Sequence, residues 1–161
     1  MNIQIIRIDD RLIHGQVVVG WCPAIEIDRL IVINDSVAAN KVRREMMALG
    51  VPSGIRAEFL DVDGAVRAIP ADSGPGRALL LFDGPVDVLR YVRGGGSAPS
   101  VNVGGMHFAE GKTEIHNGYF ASDKDLEALG ALADLGVSLE IRALPGQNPV
   151  NLNALLRKGK T

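Results

Sequence analysis

The run Arg77-Ala78-Leu79-Leu80-Leu81-Phe82 constrains the fold of this chain more than any other segment. Five consecutive apolar side chains leave no polar face, so a strand made from them must be covered on both sides. Strands of that kind are typical of parallel sheets, whose neighbouring strands are joined by crossover helices. We therefore expect helices to alternate with strands along the rest of the chain.

The remaining patterns agree with that expectation. Five further apolar or alternating runs predict strands, at residues 3–8, 29–34, 55–60, 100–104 and 137–142. Helical patterns predict helices from residue 15 to about Pro23, over 37–49 with Ser36 or Asp35 as the cap, over 61–69 up to Pro70, and over 86–93, 123–135 and 149–157. The alternation predicts an α/β fold, with an open, mostly parallel, twisted sheet, helices on both faces, and a single domain over residues 1–161.

Composition excludes several classes of function. The 161 residues carry a formal net charge of −2 and only 4% aromatic side chains, which does not fit a nucleic-acid-binding surface. One cysteine, Cys22, cannot form an internal disulfide, and no Cys/His spacing predicts a metal site, so we expect no metal and no cofactor. Neither a signal peptide nor a membrane helix is indicated. We expect a cytoplasmic protein that reaches a membrane only through a partner.

Three loops are candidates for the functional site. Parallel α/β sheets bind ligands beyond the carboxyl ends of their strands. In this chain that edge is formed by the loop after the first strand, residues 9–16, by the loop at 83–85, and by the region 104–118.

The first of these loops has the residues of an anion site. Its polar side chains lie within eight positions: Asp9, Asp10, Arg11, His14 and Gln16. Gly15 at the start of a helix offers backbone N–H groups, and the planar guanidinium of Arg11 suits phosphate oxygens. An imidazole has an ordinary pKa of about 6.5, so a neutral, nucleophilic ring at His14 is available near neutrality. These residues predict phosphoryl transfer through His14, although residue types alone also allow a surface or capping histidine.

The other two loops carry weaker indications. Phe82-Asp83-Gly84-Pro85 is a tight turn that we expect to form a second wall of the phosphate site. Asp83 is unfavourable beside a phosphate unless its carboxylate points outward or pairs with Arg11. The paired glycines after Val103 lack the spacing of a dinucleotide-binding loop, and Gly111-Lys112-Thr113 is not a complete P-loop. His107 and His116 are interpreted as surface or structural residues.

The first loop also resembles a known family. Arg7-Ile8-Asp9-Asp10-Arg11-Leu12-Ile13-His14-Gly15-Gln16-Val17 is similar to the phosphorylation-site signature of IIB subunits in the mannose/fructose/sorbose class of the bacterial phosphoenolpyruvate-dependent sugar phosphotransferase system. The run from Val101 to Met106, followed by Gly111-Lys112-Thr113, resembles a second landmark of that family. The resemblance covers essentially the whole chain.

The resemblance implies an enzyme, a protein-phosphohistidine–sugar phosphotransferase. His14 matches the phosphorylated histidine, and Arg11 matches the arginine that stabilises the transferring group. The remaining matches in the phosphate-binding loops are Asp10, Gly15, Gln16, Phe82, Asp83 and Gly84. The family's partners are a IIA protein or domain as donor and the membrane subunits IIC and IID, which present the sugar and hold the IIB subunit at the inner membrane. Homodimer formation is left open.

Two other functions fit the same loop. A regulatory phosphohistidine protein without a transport role would have an identical signature. A small α/β enzyme acting on a phosphorylated metabolite could use His14 as a general acid or base, but it needs a deep pocket.

Overall fold

A seven-stranded sheet forms the centre of the computed structural model, which describes residues 1–159. In chain order the strands are β1 Asn2–Asp9, β2 Arg29–Ile33, β3 Arg56–Leu60, β4 Arg77–Phe82, β5 Ser100–Gly105, β6 Thr113–His116, β7 Tyr119–Ala121, β8 Ser138–Ile141 and β9 Val150–Asn151. The sheet order is β3-β2-β4-β1-β5-β8-β9, with β6 and β7 forming a separate hairpin. All neighbours in the large sheet are parallel except β8 and β9, so the predicted mostly parallel α/β fold is confirmed.

Helices connect the parallel strands. A wide π-type turn, Gln16–Trp21, leads into the first of them. The helices are α1 Cys22–Ile25, α2 Asp35–Ala38, α3 Lys41–Leu49, α4 Val62–Ala71, α5 Pro85–Arg93, α6 Asp123–Asp134 and α7 Leu152–Gly159. Within residues 1–159, no helix has the length and apolar character needed to span a membrane.

The sheet is covered on both faces, which gives two apolar cores. Along β4, Leu80 and Phe82 point into a large core with α4, α5, α6 and α7. Leu79 and Leu81 point into a smaller core with Leu12, the π-type turn, α1 and α2. Because successive strand residues face opposite sides, the apolar run of β4 supplies both cores at once.

Local structure differs from the sequence prediction between residues 34 and 49. One helix was expected over 37–49 with Ser36 or Asp35 as its cap, but two helices form, and their caps are asparagines. The Asn34 side chain accepts a hydrogen bond from the N–H of Val37, and the Asn40 side chain accepts one from Arg43. Asn40 ends the first helix because its side chain competes with the helical backbone and begins a new turn.

The bounds of other helices and strands also differ from the sequence prediction. Helical structure continues past Pro23 to Ile25, because Pro23 lies in the first turn of α1, where no N–H is needed. Helix α4 includes Pro70 and ends at Ala71. The β6–β7 hairpin was not predicted, although Asn117-Gly118 is a hairpin turn sequence and Gly118 has a φ of +77°. The predicted helix 149–157 begins instead with the short strand β9.

Candidate functional site

The chain makes a tight turn where β1 ends, and Asp9 closes it. The carbonyl of Asp9 accepts from the Leu12 N–H at 2.9 Å, and its Oδ1 accepts from the Arg11 N–H at 3.2 Å. Leu12 has a left-handed φ of 56°, which costs about 1 kcal/mol for a residue with a side chain. That conformation directs Leu12 into the smaller core, where it is 1% exposed, and its burial offsets the cost. The buried leucine thus anchors the loop that carries His14.

His14 is held by the same aspartate. Its Nε2 lies 2.8 Å from Oδ2 of Asp9, a carboxylate with no exposed surface, while 16% of the His14 side chain is exposed. The backbone continues directly into the π-type turn, since the N–H groups of Val17 and Val18 both bond to the His14 carbonyl. The ring therefore has one nitrogen engaged from inside the protein and the other, Nδ1, on its opposite edge.

A buried arginine lies behind Asp9. Nη2 of Arg7 donates to Oδ2 of Asp9 at 2.8 Å, and its Nη1 donates to Oδ1 of Asn102 at 2.7 Å. The guanidinium stacks on Trp21 at 5.3 Å, and Arg142 stacks on the same indole at 5.0 Å. Burial lowers the pKa of Arg7, and the nearby Asp9 carboxylate opposes that effect. Acceptors from β1, from β5 and from Arg142 just after β8 thus surround one buried cation.

Two glycines of β5 make room for this arrangement. A Cβ at Gly104 would lie 1.8 Å from Cζ of Arg7, and a Cβ at Gly105 would lie 2.7 Å from Oδ1 of Asp9. The sequence predicted a strand that ends at residue 104, but β5 includes both glycines. Glycine is required at these positions because the arginine and the aspartate pack flat against them.

A second histidine lies at the same edge of the sheet. Asp10 accepts from both the backbone N–H and the Nδ1 of His107, each at 2.6 Å. The His107 ring and the Asp9 carboxylate both border Gly105, since a Cβ there would lie 3.1 Å from the ring and 2.7 Å from the carboxylate. His107 is therefore a structural residue, one of the two interpretations that the sequence allowed, because it ties the Asp10 loop to the end of β5.

The loop after β4 lies beside this site, because Ile8 pairs with Phe82 in the sheet. The Phe82 side chain is fully buried and packs on Tyr91, so only its backbone faces the loop. Asp83 accepts from the side-chain amide of Asn34 at 2.7 Å and does not pair with Arg11. Burial, with a smaller contribution from nearby Asp87, raises the pKa of Asp83.

Three of the remaining predicted residues lie in the same loop as His14, and Gly84 does not. The Arg11 side chain is 47% exposed, with Nε 3.9 Å from Oδ1 of Asp9. Gly15 is exposed, and a Cβ there would meet no atom within 4 Å, so nothing covers this part of the loop. Oε1 of Gln16 is buried and accepts no hydrogen bond within residues 1–159. Gly84 faces α6 instead, with Asp125 Oδ1 4.0 Å from the position of its Cβ.

This arrangement can hold a neutral imidazole in one tautomer beside an exposed guanidinium. A carboxylate that accepts from one ring nitrogen places the proton there and leaves the lone pair on the other. Sequence reasoning named His14 and Arg11 as candidates but did not predict the contacts that Asp9, Arg7, Asn102 and His107 make. An arginine flanked by Ile6 and Ile8 in a buried strand was the available indication, because charged side chains are rarely buried without a partner.

Known proteins resemble the chain over nearly its whole length. A family model described as "PTS system sorbose subfamily IIB component" matches residues 3–161. The chain is 34% identical over 158 residues to the PTS system fructose-specific EIIB component of Bacillus subtilis, covering 98% of this chain and 97% of that protein. It matches the crystal structure of the IIBSor domain of the sorbose permease from Klebsiella pneumoniae with a TM-score of 0.89 and 32% identity, covering 98% of both chains.

The mannose-specific relatives are longer than this chain. The PTS system mannose-specific EIIAB component of Escherichia coli is 41% identical over 160 residues, which cover 98% of this chain and 49% of that protein. The chain therefore spans about half the length of the mannose-specific relatives that it matches.

Proposed function

The chain belongs to the sorbose subfamily of phosphotransferase-system IIB components, and we propose that it accepts a phosphoryl group on His14 and passes it to a sugar hydroxyl. The observation that carries the proposal is the 2.8 Å contact between Asp9 Oδ2 and His14 Nε2. It leaves Nδ1 as the ring nitrogen with a free lone pair, so Nδ1 is the atom that attacks phosphorus.

The reaction has two transfers. In the first, Nδ1 of His14 attacks the phosphorus of a phosphohistidine on a IIA donor, and the P–N bond of the donor breaks as the new P–N bond forms. In the second, a sugar hydroxyl oxygen attacks the same phosphorus, the bond to Nδ1 breaks, and the hydroxyl proton passes to solvent. Both steps depend mainly on alignment and charge neutralisation, which a fixed ring and a guanidinium supply without a metal.

Arg11 neutralises the phosphoryl oxygens in this scheme. Its guanidinium is half exposed and lies next to the buried carboxylate of Asp9, so it can swing toward a group on His14. The exposed loop at Gly15, together with Gln16, lines the other side, and Asp10 fixes the loop from below through His107. The Asp83-Gly84 turn is the least direct contributor, because Asp83 is bound to Asn34.

The surface around His14 suits docking by large partners. Helix α3 has no buried residue, and its Val42, Met46 and Leu49 side chains are 65%, 68% and 88% exposed. The end of this helix reaches the His14 loop, since a Cβ at Gly50 would lie 3.7 Å from Ile13. We infer that a IIA protein or domain docks here and that the membrane subunits IIC and IID present the sugar. The protein then acts in the cytoplasm at the face of the inner membrane.

Phosphate mapping tests the proposal. The native chain and the variants His14→Ala and His116→Ala are incubated with a phosphorylated IIA domain or with phosphoramidate, a small donor that phosphorylates imidazoles. We expect one acid-labile phosphate per chain, located on His14 by mass spectrometry, retained in His116→Ala and absent from His14→Ala. Undiminished acid-labile phosphate in the His14→Ala variant would contradict the proposal.

A further inference from the structure

Arg7 is a fully buried cation at the base of the site. It has no accessible surface, yet its guanidinium sits directly under the carboxylate that holds His14. Burying a cation costs several kcal/mol unless it is paired and hydrogen-bonded. The fold supplies Asp9, Asn102 and the Arg142 carbonyl as acceptors, and it keeps Gly104 small so that the guanidinium fits. So specific a set of contacts indicates that the position of this cation matters to Asp9.

Arg7 and His14 share one oxygen of Asp9. Both Nη2 of Arg7 and Nε2 of His14 lie 2.8 Å from Oδ2. A carboxylate alone at this distance would favour an imidazolium, which carries protons on both ring nitrogens and has no lone pair for phosphorus. A carboxylate already paired with a guanidinium is close to neutral as a unit, yet its oxygen still accepts the Nε2–H hydrogen bond.

Building on the proposed phosphoryl transfer, we propose that Arg7 is a positioning residue that cancels the charge of Asp9, so that Asp9 orients the His14 ring without holding a second proton on it. Asn102 assists by fixing Nη1 of Arg7 at 2.7 Å. Arg7 contacts neither the phosphoryl donor nor the sugar in this arrangement, and it acts through Asp9.

The other charged and titratable groups at this edge have partners of their own or face solvent. Arg11 is half exposed, so solvent screens its charge. Asp10 is bound to His107, and Asp83 to Asn34. Burial raises the pKa of Tyr119, which stays neutral and contacts the Gly104 carbonyl at 3.3 Å. Within residues 1–159, Arg7 is the fully buried cation in contact with Asp9.

The pH profile of phosphoryl acceptance tests this role. The variant Arg7→Met removes the charge and keeps much of the volume. The matched control is Arg29→Met, since Arg29 is also buried and bound to carboxylates, but at the opposite end of the sheet. The probe is phosphoramidate, and the initial rate of His14 phosphorylation is measured from pH 5.5 to 8.5.

We expect the profile of Arg7→Met to move to higher pH by about one unit or more, since an unpaired carboxylate shifts a neighbouring group by that amount. At the acid end of this range the rate then falls about tenfold or more, while the rate at high pH approaches the native one. The profile of Arg29→Met should stay in place. A uniform drop in rate for Arg7→Met with an unmoved profile would overturn the proposal, and so would an equal shift in both variants.

Two further variants keep the test decisive if Arg7→Met does not fold. Asp9→Asn leaves Arg7 unpaired and should move the profile to lower pH, and the double variant Arg7→Met with Asp9→Asn should return it to the native position. A double variant with a profile displaced upward would refute charge cancellation.

An NMR titration of the His14 ring in the absence of any phosphoryl donor separates this inference from the proposed function. Shifts in the stated directions support the role of Arg7 even if no chain accepts phosphate, and unmoved titration curves overturn it.

Discussion

The close packing of Gly104 against Arg7 predicts that Gly104→Ala is among the most damaging single-methyl additions to this chain. A Cβ there would lie 1.8 Å from Cζ and 2.0 Å from both terminal nitrogens of Arg7, whereas ordinary contacts begin near 3.4 Å. Either β5 moves or the guanidinium leaves. Because β5 is paired with β1 on one side and β8 on the other, a strand shift of that size would break both ladders.

We therefore expect the guanidinium to be displaced. That leaves Asp9 buried without its cation, and breaking a buried ion pair in this way costs about 3–5 kcal/mol. For a domain of this size the melting temperature should fall by roughly 6–20 °C. The variant should also accept phosphate from phosphoramidate at pH 7 more slowly than its folded fraction predicts, because the uncancelled charge of Asp9 then favours a second proton on His14.

Gly130→Ala is the matched control. It adds the same methyl group on α6, where no atom lies within 4 Å, and alanine favours helix by about 1 kcal/mol over glycine. Urea unfolding at pH 7 measures both variants. A cost below 1 kcal/mol for Gly104→Ala, with normal phosphorylation, would show that the Arg7 site is not packed as described.

Three further results are expected. Asp83→Asn should be more stable than the native chain at pH 7, because burial raises the pKa of Asp83 in the folded state above its value in the unfolded state. Urea titrations should show the difference in unfolding free energy between the two proteins closing as the pH falls toward about 4. Arg29→Met should lower the free energy of unfolding by about 1–3 kcal/mol at pH 7. Because the hydrogen bond from Arg29 lowers the pKa of Glu58, this loss of stability should shrink as the pH drops below about 4. A loss that stays constant to about pH 2.5 would contradict the pairing of Arg29 with Glu58. A double change, Met46→Glu with Leu49→Glu, should slow phosphorylation by a IIA donor about tenfold while leaving the rate with phosphoramidate unchanged, since only the protein donor needs the exposed face of α3.

Six of the seven strands in the large sheet could be predicted because each one is a short apolar run between turn residues. The residues of β4 are apolar on both faces, and that pattern has few other stable uses. The hairpin at 113–121 was missed because its strands are short and half exposed, so the Asn117-Gly118 turn was the only strong indication. The split between α2 and α3 depends on side-chain capping at Asn40, which apolar periodicity does not register.

The candidate site likewise has residues that the sequence shows together and residues that only the fold brings together. His14 and Arg11 lie in one contiguous loop, so the sequence displays them together. Asn102 reaches Arg7 across 95 positions, and His107 reaches Asp10 across 97. Such contacts can be predicted only when β1 and β5 are known to be neighbours in the sheet, and the sequence of a single segment does not reveal that.

Trp21, the single tryptophan of the chain, lies between Arg7 and Arg142 and is 2% exposed, with its Nε1–H bonded to the Ala143 carbonyl at 2.8 Å. The protein therefore contains an optical reporter at the base of its own site. Tryptophan emission comes from one environment, so a change in it reports whether the guanidinium beneath Asp9 is still stacked on the indole. The same signal follows both global unfolding and local displacement of Arg7. Local displacement is recognised by a change in emission that precedes the loss of helical circular dichroism.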